Sequence, residues 1–141
     1  MTFPSAAGGF VLDPGALVEL GGGLSFYAAA FVERAAVRSL TFAVPAAALS
    51  EAWQHIRQEG PSRIDQMQQF ISGPLVIVVP LDAAAAYAAG ELVEQRDVGP
   101  DVTAAHVATI ARERGWPIAV VNPDRVLAVD PKATVAKLPG T

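Results

Sequence analysis

A chain of 141 residues with 52% hydrophobic and 17% charged side chains has the length of one domain and too much apolar material for a disordered segment. It contains no cysteine, which excludes disulfides, thiolate zinc sites and cysteine nucleophiles and leaves His55 and His106 as the only imidazoles. A net charge of −4 with no Lys/Arg run argues against a strong general attraction to nucleic-acid phosphates.

In chain order, the opening "MTFPSAAGGF" lacks the basic start of a signal peptide. No apolar run anywhere reaches the roughly 18 residues that span a bilayer. A cytoplasmic protein without membrane contact is expected, folded as one domain over residues 1–141. Phe10 to Leu12 read as a short strand ending at Asp13, with consecutive apolar residues as in a strand covered on both faces. "GGGLS" is read as a turn, because it follows a helix-like segment and not the strand that a phosphate cradle requires. In "LSFYAAAFVERAAVRSL", Ser25 is an N-cap, and Tyr27, Phe31 and Ala35 recur at helical spacing, leaving Glu33, Arg34 and Arg38 for water. "TFAVP" is a brief extended segment, and Pro45 suits the first turn of a helix running through "AAALSEAWQHIRQEG" to Gly60. "PLVIVVP" is the clearest strand, an aliphatic, mostly β-branched run between Pro74 and Pro80. Asp82 caps the next helix, "AAAAYAAGELVEQR"; "QRDVGPD" is a loop; and "VGPDVTAAHVATIARERG" gives a helix closed by Gly115. "WPIAVVN" is a further strand, "PDRVLAV" a helical turn and "ATVAKLP" an edge strand.

Strands alternating with helices of crossover length specify a mostly parallel sheet of about five strands between two helical layers, an α/β/α sandwich. Such sheets bind ligands beyond the carboxyl ends of their strands, so Asp13 and Asn122 are expected to line one crevice. The chain has no Walker loop, no G-x-S-x-G turn and no H-E-x-x-H pair. His106, in an alanine-rich helix, and His55, beside Trp53, lack a second ligand nearby and read as packed or surface histidines. Eight of the ten basic residues are arginine, which we attribute to genome base composition. The remaining chemistry is acidic: Asp13, Glu51, Asp101 and Asp124, with the amide Asn122. Singly, each acid is more often a cap or a solvated charge. Gathered at one end of a sheet, they repel one another unless a divalent cation neutralises them, and magnesium, with its preference for hard oxygen ligands, accepts that setting.

These segments resemble the PIN-domain nucleases, which include the ribonuclease toxins of bacterial toxin–antitoxin pairs. "FVLDPGALVEL" is similar to the family's opening strand and first acid, at Asp13. "AVPAAALSEAW" resembles its second motif, a proline followed six positions later by glutamate, here Pro45 and Glu51. "VIVVPLDAAAAYAAGEL" and "TAAHVATIARERGWPIAVVNPDRV" resemble the strand, helix and final signature that follow, so the resemblance runs nearly end to end. It implies a metal-dependent endoribonuclease with magnesium or manganese held by clustered acids, no covalent cofactor, an antitoxin partner and a homodimer. Asp13 and Glu51 match as catalytic acids and metal ligands. The third acid's place falls on Ala104, the fourth on Asn122, which as a metal ligand still offers a carbonyl oxygen but no charge, the threonine position on Val120, and the small hydroxyl residue after the first acid is replaced by Pro14 and Gly15. Asp101, three residues before Ala104 on the same helix face, and Asp124, two beyond Asn122, are placed to move into the vacancies as metal ligands.

Two functional readings follow. In the first, the nuclease activity is weakened or lost and the protein acts by binding RNA, an antitoxin-like protein or another copy of itself. In the second, it is an active magnesium- or manganese-dependent endoribonuclease with shifted ligands. A third possibility is a purely structural role, with the apolar residues of "LSFYAAAFVERAAV" supplying a self-complementary surface.

Overall fold

Consecutive apolar residues place strand β1 (Gly9–Leu12) in the interior along its whole length. It pairs with β2 (Thr41–Pro45) on one side and β4 (Ile118–Val120) on the other; β3 (Val76–Val79) and β5 (Val135–Lys137) form the edges. All four pairings of this five-stranded sheet are parallel. The computed structural model describes residues 8–23, 25–94 and 99–139, so most of the "QRDVGPD" loop and the first seven residues lie outside the described residues.

The seven α-helices among the described residues divide between the two faces. Successive strand residues point to opposite sides. Phe10, Leu12, Phe42 and Val44 therefore join the core under α1 (Pro14–Gly21), α2 (Phe26–Val37), α3 (Ala46–Ile56) and α4 (Pro61–Ser72), while Val11, Ala43, Ile118 and Val120 meet α5 (Ala83–Glu94), α6 (Val102–Arg114) and α7 (Asp124–Val129). This is a three-layer α/β/α sandwich. Aromatic rings carry much of the first core: Phe10 and Phe31 lie 5.1 Å apart between centroids, and Phe42 and Phe70 5.7 Å.

Local signals account for most boundaries. Ser25 accepts the Ala28 N–H at 3.1 Å, Asp82 accepts that of Ala85 at 2.9 Å, and Gly115 ends α6 in the left-handed region. The glycine run forms a turn, with Gly23 at φ +65°.

Some expectations change. Pro45 is the last residue of β2 and the N-cap position of α3, one residue before the helical turn it was expected to open, and a 3₁₀ turn at Arg57–Glu59 separates α3 from Gly60. On α2 the buried stripe is Ala28, Phe31 and Ala35, with Tyr27 only half-buried; the large apolar residues left outside are Phe26 and Val37. The strongest aliphatic run, β3, sits at the sheet's edge with Ile77 and Val78 exposed, because α5 packs on α6 and leaves this strand partly uncovered. Flanking Pro74 and Pro80 deny further pairing at its ends. No single helix among the described residues is long and apolar enough to cross a membrane.

Candidate functional site

Asp13 follows β1 at the carboxyl end of the sheet, beside β4: Leu12 pairs with Ala119, and the Asp13 N–H donates to the Ala119 carbonyl. The first and fourth strands thus finish side by side. The Asp13 carboxylate caps α1, accepting the Ala16 N–H at 2.8 Å, while Pro14 takes the first helical position, where its missing N–H is not needed. Burial raises the Asp13 pKa to about 6; the Ala16 N–H and the Arg125 charge oppose the rise, and Glu51 adds to it.

Glu51 on α3 and Asp101, the N-cap of α6, meet at one guanidinium. Arg125 of α7 donates from Nη1 and Nη2 to the two oxygens of Glu51, both at 2.7 Å. It donates from Nε and Nη2 to the two oxygens of Asp101, at 2.7 and 2.9 Å. Thr103 adds an O–H to Glu51 Oε1 at 2.6 Å, and the Ala104 N–H caps onto Asp101 Oδ1 at 3.1 Å. A planar fork matches carboxylate geometry in a way that an ammonium does not. Its hydrogen bonds hold the Glu51 and Asp101 carboxyls below their ordinary range and raise the Arg125 pKa. Arg125 and Glu51 are 46% and 39% exposed, so solvent reduces each pair to about 1 kcal/mol.

Asn122 and Asp124 do not enter this constellation. The Asn122 side-chain oxygen accepts the Asp124 N–H at 3.0 Å, an Asx-type turn that starts α7; both residues are exposed, and the Asp124 carboxylate makes none of the contacts above. The amide's work is local. Asn122→Ala is expected to cost about 1 kcal/mol or less, the net worth of one exposed hydrogen bond, and chemical denaturation measures it. Neither imidazole joins the site. His55 pairs with Glu59 at 2.9 Å on the surface. His106 is wholly buried, its ring nitrogens without a hydrogen bond of ordinary geometry among the described residues, and burial lowers its pKa.

No family model and no curated protein matches the chain by sequence. Solved structures match by shape. VapBC2 of Rickettsia felis, bound to a DNA fragment from their promoter, superposes with a TM-score of 0.71 at 15% identity, covering 92% of this chain and 98% of that one. The fold is the PIN fold. Mycobacterium tuberculosis VapC20, a Sarcin-Ricin loop cleaving toxin, gives 0.65 at 14% identity over 92% and 99% of the two chains. FitAcB from Neisseria gonorrhoeae gives 0.60 at 12% identity over 89% and 95%.

On this PIN fold, the residues present do not fit the divalent ion that the fold brings to mind. Position 104, where the resemblance puts a third acid, is the buried methyl of Ala104, and position 122, where it puts a fourth, is an amide whose oxygen accepts the Asp124 N–H. The space between Glu51 and Asp101 holds a guanidinium. Among the described residues, no group of three or more His, Cys, Asp and Glu side chains is arranged to hold a metal. Arg125 was not anticipated from the sequence, and it organises the site. Two hollows lie elsewhere, one of about 680 Å³ walled by Trp116, Arg112 and Lys132, the other of about 640 Å³ walled by Leu49, Trp53 and Ile71 between α3 and α4. Neither is lined by Asp13, Glu51, Asp101 or Arg125.

Proposed function

We propose that this chain is a PIN-fold protein related to toxin ribonucleases whose metal-dependent nuclease activity is weak or absent, and that it acts by binding an antitoxin-like protein. The observation that carries this reading is Ala104. Metal affinity in an oxygen-ligand site follows the number of charged ligands, and a buried methyl supplies none. A protein partner is favoured over RNA by the net charge of −4 and the absence of any basic run. The likeness to toxin structures such as VapBC2 and FitAcB supports the antitoxin-like partner. Self-association is a second binding mode, which light scattering on the purified protein distinguishes.

One observation favours the active reading. Asp101 reaches the neighbourhood of Glu51, as an acid shifted from position 104 would. The same assay separates the two. Purified protein incubated with RNA and magnesium or manganese is expected to cleave no faster than its Asp13→Ala variant. Cleavage that disappears on Asp13→Ala would establish the nuclease and remove the binding-only reading. Co-expression with the product of an adjacent small open reading frame is expected to yield a stable complex.

A further inference from the structure

We infer that Arg125 is the resident cation of this pocket, holding by intramolecular contact the place that a divalent ion takes in a metal-dependent site. This rests on the binding-only reading and names the residue that enforces it. A single nitrogen, Arg125 Nη2, touches one carboxylate oxygen from each of two helices, 2.7 Å from Glu51 Oε1 and 2.9 Å from Asp101 Oδ1. A magnesium-sized ion at that point needs oxygens at about 2.1 Å, so each contact would have to contract by about 0.7 Å. Two carboxylates with water completing the shell are an ordinary ligand set for such an ion. The methyl at position 104 lowers the ligand count, and occupancy by the guanidinium acts on the two carboxylates that remain.

The guanidinium is charged at every accessible pH, and as part of the chain it competes without the loss of translational freedom that a dissolved ion incurs. Four of its contacts are already made, to both oxygens of both acids. The amide at position 122 belongs to the same device. By accepting the Asp124 N–H it closes the turn that leads into α7, whose second residue is Arg125. The amide at 122 and the cation at 125 then act together.

Melting curves with and without manganese chloride test this. The wild type is expected to melt at the same temperature in both. Arg125→Ala is expected to melt lower in metal-free buffer and to rise by about 3 °C or more with manganese, and the further change Glu51→Gln should abolish that rise. If Arg125→Ala does not fold, Arg125→Gln keeps the chain length without the charge and should respond in the same way. A wild type stabilised by manganese as much as the variants, or variants that do not respond, would overturn the assignment of Arg125. Wild-type RNA cleavage sinks the binding-only reading whatever the variants do; manganese-blind variants sink only the role of Arg125.

Discussion

Gly9→Ala is expected to destabilise the protein by about 4 kcal/mol, among the largest effects of any single substitution in this chain. Gly9 pairs with Thr41 at the start of the β1–β2 ladder. A methyl group there would lie 2.1 Å from the Thr41 carbonyl oxygen and 2.8 Å from Trp116 Cζ3. The first contact is backbone, tied into a parallel ladder that continues to β3, so it cannot rotate away as a flexible side chain would. Relief requires displacing β1, the strand that ends at Asp13. Gly60→Ala makes a useful control: nothing lies within 4 Å of its Cβ position, but its φ of +102° strains any L side chain, and about 1 kcal/mol is expected. Denaturant unfolding separates the two. A Gly9→Ala protein that unfolds at the wild-type midpoint would show that β1 and β2 are not in this register.

The sandwich was legible because its local signals agree. Ser25, Asp82 and Asp101 cap the helices that their positions suggest, Gly115 closes α6, and the continuous apolar runs of β1 and β4 are interior. Where the signal is not local, the sequence is silent. The run Val76–Val79 has the same aliphatic character whether it lies in the middle of a sheet or at its edge, and the choice depends on where α5 packs. The helix α4 is too polar to stand out, with Met67 its only fully buried residue, although Ile64, Met67 and Ile71 follow helical spacing. At the site, convergence of Asp13, Glu51 and Asp101 at one end of the sheet follows from the topology. Arg125 does not. Its partners lie 74 and 24 residues away, a separation with no periodicity, and an arginine-rich composition conceals the arginine that bridges the two acids. The available signal was its place directly after Asp124, in the turn following a strand whose neighbour β1 leads into Asp13.

Asp13→Asn is expected to raise stability at pH 7.5 by about 3 kcal/mol and to have little effect near pH 4. The native pKa of about 6 lies above the ordinary carboxylate value, with burial the main cause. Well below pH 3.8 the group is protonated in both states and contributes no difference. Between there and pH 6 the unfolded chain ionises first, so the native state loses relative stability as the pH rises; above 6 the full penalty is present. Asparagine removes the charge and can still accept the Ala16 N–H, so the cap on α1 survives. His106 acts in the opposite direction, since its lowered pKa makes the native state lose stability as the pH falls below about 6.5. It is present in both proteins and cancels in their difference. Melting temperatures of wild type and variant across this pH range give that difference directly. A variant less stable than wild type at pH 7.5 would mean that the attraction of Arg125 for the Asp13 charge outweighs burial, making Asp13 a structural residue. A more stable variant would mean that Asp13 opposes folding as a carboxylate at neutral pH, and its use must then lie in what the charge presents at the mouth of the pocket.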